Sequence, residues 1–257
     1  MIMDGANSGA VTLSRWYKGS SLALDEMAVG GVRTYSLRSV ITDSAAAATA
    51  IATGHKTIVD KVGMVPLYAS DEAAKPKDVI PKASILEAAQ RHGFATGLVV
   101  TAPVQHATPA GFSAHVLHRD MSADIAEQQV YQGIDVVLGG GKISLLPGKE
   151  EDSRTDGENM LQVLKQKKYT FVQSKKQLDS ASGRKLWGAF ANEEMAYDID
   201  RKAIGLNQPA LAEMTEKAIQ TLSQQKKGFF LLIEGSKVDW AAHLNDPVGI
   251  ISEILAF

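Results

Sequence analysis

Cysteine is absent from the 257 residues. That excludes disulfides, thiolate metal sites and cysteine nucleophiles, so any metal must be held by histidine, carboxylate, hydroxyl or water. Net charge is nearly absent too: 27 basic against 29 acidic residues leave a formal −2, with no electrostatic footprint for nucleic acid. No uninterrupted apolar run is long enough to span a bilayer. No charged, apolar leader precedes Met1-Ile-Met-Asp4, and Val248 to Phe257 reads as an amphipathic helix cut short, so both ends look like those of a piece of a longer enzyme.

What is present suits one globular unit. At 45% hydrophobic and 22% charged, the chain can bury a sizeable core, and a single domain over 1–257 is expected. Met1–Met3 reads as the tail of a strand, with a helix over Val11–Tyr17. Ser84–Gly93 has helical apolar spacing, a serine start and a glycine stop; Phe94–Thr101 is a buried strand. Further strands are expected at Ile134–Gly141, Thr170–Val172 and Gly228–Glu234. Helices are expected over Glu127–Gln132, Asn159–Lys168, after Ser174, and over Pro209–Leu222. Helix followed by apolar strand is the rhythm of an α/β fold with a largely parallel sheet and helices on both faces. Residues 58–82, with Pro66, Pro76 and Pro81, read as a long loop and 147–157 as a surface loop; 181–208 give no assignable pattern. The triplet Gly139–Gly141 is a weak phosphate-loop signal and reads as a turn.

The chemistry centres on Ile41-Thr-Asp-Ser-Ala-Ala-Ala-Ala-Thr49. Small helix-favouring residues after Ser44, with Gly54 as a stop, place Ser44 at a helix N-terminus, where free N–H groups favour an anion. Ser44 is then either a serine N-cap on a buried alanine helix or a nucleophile. No Gly-x-Ser-x-Gly elbow surrounds it, so activation by a metal fits better than a histidine base. Asp4 follows a strand, where it either caps a helix or faces the ligand edge of an open sheet. In the stretch Ala102–Arg119, Thr108 reads as an N-cap with Pro109 in the first turn and Arg119 near the far end of that helix; His106, His115 and His118 read singly as core or surface histidines. After Glu234, Asp239 and His243 stand four apart, so on a helical turn they share a face and can hold one ion.

Three stretches, in this order, resemble the alkaline phosphatases: Asp43-Ser44-Ala-Ala-Ala, His106-Ala-Thr108-Pro-Ala with Arg119 downstream, and Glu234-Gly-Ser-Lys-Val-Asp239-Trp-Ala-Ala-His243. The resemblance implies a phosphate monoester hydrolase with two zinc ions and one magnesium. By that resemblance Ser44 is phosphorylated and touches the second zinc, Asp4 bridges the second zinc and the third metal, and Thr108 and Glu234 serve the magnesium site beside His106. Asp239 and His243 serve the first zinc, and Arg119 clamps the phosphate. Trp240 stands near the phosphate where other members place lysine or histidine, and His106 where some place aspartate. Three further zinc ligands of the family would lie beyond Phe257, which leaves a non-catalytic phosphate-binding half-site as the rival reading. A related phosphodiesterase is the rival within the superfamily; a sulfatase is disfavoured because its formylglycine motif is absent. The resemblance also implies a periplasmic or secreted setting, a homodimer, and inorganic phosphate as product.

Overall fold

The computed structural model describes residues 1–67 and 78–257. Eight strands and eleven α-helices carry the fold among these residues. In chain order they are β1 (Ile2–Met3), α1 (Ser8–Lys18), α2 (Ser44–Thr53), β2 (Met64–Pro66), β3 (Val79–Pro81), α3 (Ile85–Arg91), β4 (Ala95–Pro103), α4 (Ala107–Ser113), α5 (Ser122–Gln132) and β5 (Val136–Gly140). There follow α6 (Met160–Gln166), β6 (Thr170–Val172), α7 (Lys175–Ser180), β7 (Leu186–Ala189), α8 (Asp198–Ala203), α9 (Leu211–Leu222), β8 (Phe229–Gly235), α10 (Lys237–His243) and α11 (Pro247–Ala256).

The central sheet has the order β1-β8-β4-β5-β7-β6, with every neighbouring pair parallel. Alternation along the strands feeds two cores. Leu98, Val100, Val137 and Leu232 face one cluster, with helical residues Leu86, Phe112, Ala126, Val130 and Leu164. Val99, Val136, Leu138 and Ile233 face the other, with Leu178, Leu211, Met214 and Ala218. Both faces of each strand are apolar because both are covered by helices, which is why β4 and β5 are near-continuous hydrophobic runs. The expected α/β architecture is the one observed.

Several local expectations are corrected. The stretch 58–82 is not simply loop: β2 and β3 pair antiparallel in a separate two-stranded sheet. Three-residue strands ending in proline carry no alternation to read, and Pro76 lies outside the described residues. Residues 147–157 are the expected surface loop, exposed except at Ser153 and Arg154; Arg154, 1% exposed, pins it by donating to the Ala123 carbonyl (2.8 Å) and to Asp156 and Glu127. The unassigned 181–208 contains a strand of the main sheet, β7, inserted between β5 and β6, and α8. Its Leu-Trp-Gly-Ala sequence is too short for periodicity, yet Trp187 is fully buried.

Candidate active site

The carboxyl ends of β1 and β8 lie side by side. Ile2 registers with Glu234 and Met3 with Gly235, and the Asp4 N–H donates to the Gly235 carbonyl at 3.2 Å. This brings Asp4 beside Glu234 at the edge where open parallel sheets bind ligands. Gly5 completes the turn with φ +68°, and a Cβ there would lie 2.5 Å from the Asp239 backbone, so glycine is required for Asp4 and Asp239 to approach.

Ser44 is the first residue of α2, but it is not the cap. Asp43 is, its carboxylate accepting the Ala46 N–H at 2.9 Å. That leaves the Ser44 hydroxyl free to donate to Asp4 Oδ2 at 3.0 Å. The alanines explain how α2 reaches this place: a Cβ on Gly111 of α4 would lie 2.8 Å from the Ala48 Cβ, so the two helices touch almost backbone to backbone.

That contact also brings Thr108, 3% exposed, into the same edge. Its expected capping role is wrong: the N-cap of α4 is His106, with Thr108 inside the first turn. The helix ends at Ser113, so Arg119 lies beyond it rather than near its far end. Position is gained by side-chain bonds instead. Arg119 donates to Asp43 Oδ2 at 3.3 Å and, through Nη2, to His106 Nε2 at 3.1 Å. An accepting Nε2 requires neutral imidazole. Burial, and then the Arg119 charge, push the His106 pKa down to about 4. His106 also meets the Trp240 ring edge-on at 5.7 Å between centroids.

Carboxylates crowd the edge, and the Arg119 charge offsets their repulsion only in part. Glu234 is 0% exposed and neither oxygen has a hydrogen bond of normal geometry among the described residues. Burial first, then the neighbouring Asp4 charge, push its pKa up to about 8; the Ser236 and Thr108 hydroxyls only partly offset this. Burial and Asp239 likewise raise Asp4, against the Ser44 hydrogen bond. An acid-rich, oxygen-donor edge with orphaned carboxylate atoms fits divalent cations. Asp239 and His243 share one helical face as expected, with Nε2 to Oδ2 at 3.5 Å, although the His243 side chain is 79% exposed. Asp4, Glu234, Asp239 and His243 are spread along the edge rather than gathered at one point. Among the described residues the acids that do converge within 4.8 Å are Glu127, Asp156 and Glu158, and the Arg154 guanidinium pairs with all three.

Two participants were missed by motif reading. Asp43 caps α2, accepts from Asp60 N–H (3.1 Å) and holds Arg119; a helix-start pattern marks an aspartate there, but not its three-way role. Lys237 is 3% exposed, lies over the Tyr197 and Trp240 rings at 4.1 and 4.7 Å, and donates to the Met195 carbonyl at 3.0 Å. A lysine beside a turn gives no sequence signal of burial.

Known proteins carry the same chain pattern. The chain is 37% identical to an alkaline phosphatase of Schizosaccharomyces pombe over 100% of its length and 50% of the relative's. It is 40% identical to alkaline phosphatase 4 of Bacillus subtilis, over 84% of this chain and 44% of that one. The Thermus thermophilus alkaline phosphatase structure superposes with a TM-score of 0.87 at 33% identity, covering 99% of this chain and 52% of that chain. A variant of the TAB5 enzyme, solved with Mg bound in its M3 site, gives 0.81 at 30% identity over 100% of this chain and 68% of that one. The chain thus spans about half the length of the curated relatives named. Because the family model described as alkaline phosphatase also matches residues 1–257 without interruption, the chain belongs to the alkaline phosphatase family.

Proposed function

We propose that this chain carries the nucleophile half of a phosphate monoester hydrolase. The observation that carries the reading is Ser44 at the head of α2, donating to Asp4 beside the unpartnered carboxylate of Glu234. Ser44 Oγ attacks phosphorus, the ester P–O bond breaks and the alcohol leaves; water then attacks the phosphoserine and frees inorganic phosphate with Ser44 restored. The hydrogen bond to Asp4 aims the Oγ, and the N-terminal amides of α2 face the phosphate charge. Arg119, held by Asp43 and neutral His106, offers its fork to the non-bridging oxygens. Trp240, edge-on to His106, walls the phosphate side.

Asp4, Ser44, Thr108, Glu234, Asp239 and His243 would hold two zinc ions and one magnesium, with His106 beside the third site. Bound there, the ions supply Lewis-acid charge that lowers the serine pKa and stabilises the leaving oxygen. The two cores sharing one sheet support a single domain, 1–257. The family suggests a periplasmic or secreted setting and a homodimer. No helix among the described residues is long and apolar enough to cross a membrane.

The exposed His243 favours one second reading, a phosphate-binding half-site that does not turn over. Hydrolysis of 4-nitrophenyl phosphate at alkaline pH, with zinc and magnesium and with phosphoserine trapped by acid quench, separates the two. Turnover that falls about a thousandfold or more in Ser44→Ala supports the nucleophile. Phosphate binding without turnover or phosphoserine would establish the half-site instead.

A further inference from the structure

A cleft of about 610 Å³ opens beside Arg119, between the start of α5 and the segments 141–144 and 151–153. That is the size of a small-molecule site. Its wall carries the exposed carboxylates Asp120, Asp124, Glu151, Asp152 and Glu193, against Arg119 as the one cation of the described lining. The rims are tied by Ser122 Oγ donating to Asp152 Oδ1 at 2.8 Å.

An acidic rim alone is ordinary solvated surface. Gln105 makes this one different. It is 2% exposed and lines the cleft, yet neither its Oε1 nor its Nε2 has a partner among the described residues. A buried amide with donor and acceptor both unused is costly and marks a place for a ligand's polar atoms. Gly141, at φ +84°, keeps the amide there, since any side chain at that position would overlap Gln105 Oε1.

Resting on the phosphatase reading of Ser44, we propose that this cleft receives the ester's alcohol portion and selects phosphate monoesters of amine-bearing polyols, aminosugars foremost. Arg119 takes the phosphate, the acidic wall takes the ammonium, and the Gln105 amide pairs with a ring hydroxyl, giving and accepting one bond. A bare cation would use the amide oxygen and leave the Nε2 orphaned, so a hydroxylated amine answers the whole lining.

The test compares glucosamine 6-phosphate, glucose 6-phosphate and 4-nitrophenyl phosphate on the zinc- and magnesium-loaded chain. The amine ester should exceed its neutral analogue about tenfold in kcat/KM, a ratio that shrinks as salt screens the exposed wall. Asp124→Asn with Glu151→Gln should bring the ratio toward one. Equal values for the two sugars, or a ratio indifferent to the double variant, would overturn the cleft assignment with the phosphatase reading intact. No turnover of any ester would sink that reading. Calorimetry on Ser44→Ala then decides the cleft alone: tighter binding of the amine sustains it, and equal or absent binding removes it.

Discussion

Single residues at the sheet edge are held against their own preferences, and that makes them sensitive probes. Glu234 in the metal-free chain is raised to about 8 by burial and by the Asp4 charge, against an ordinary value of 4.5. The folded state therefore holds a proton that the unfolded state gives up, and stability falls as pH rises from about 4.5 to about 8. We expect metal-free thermal melts to decline across that window, the decline to be largely lost in Glu234→Gln, and added zinc and magnesium to raise the midpoint more at pH 8 than at pH 5. Gly5→Ala should be severe, since its left-handed φ and the Asp239 backbone both oppose a Cβ. Loss of soluble protein, or of metal uptake by the soluble fraction, would register it. That Asp4, Glu234, Asp239 and His243 stand at one edge was expected from spacing and resemblance. The repulsion among its three carboxylates was not, because it arises from the pairing of Ile2 with Glu234 across almost the entire chain.

At the scale of elements, α2 and α4 decide where Ser44 and Thr108 stand. Gly111→Ala would press a methyl into Ala48 and the Thr49 amide; overpacking of this kind costs about 1–3 kcal/mol, readable by denaturant titration. Asp43→Asn keeps a cap for α2 but weakens the grip on Arg119. Asp43→Ala loses both, adding about 1 kcal/mol of cap stability to the loss. Phosphate affinity should fall in both variants and stability mainly in the second. On α3, Glu87 takes His115 Nε2 at 3.0 Å and caps at Ser84. Burial opposes ionisation of Glu87, but the bonds to His115 and Ser84 outweigh it and lower its pKa; the Glu87 bond raises His115 against burial. The Glu87 share of stability is present above 4.5 and lost below its lowered pKa, while the His115 share is present below 6.5 and lost above its raised pKa. Glu87→Gln should therefore cost about 1 kcal/mol near pH 5–6 and less near pH 9, by thermal melts. The longer helices were readable because apolar spacing and caps agree, as with Ser84 and Gly54. The short pieces β2, β3 and β7 were not, since tertiary pairing rather than local pattern creates them.

For the whole molecule, the parallel sheet was legible from its alternation of apolar strands and amphipathic helices. Strand order was not: nothing local places β7 between β5 and β6, or β1 against β8. That last pairing bears on how the protein comes into being. β1 is synthesised well before β8, its sheet partner among the described residues, so Asp4 lacks that neighbour until Gly235 has been made. Contacts so distant along the chain form late and slowly. The edge that would bind metal and phosphate therefore forms only once both strands exist, and a nascent chain cannot acquire it piecemeal.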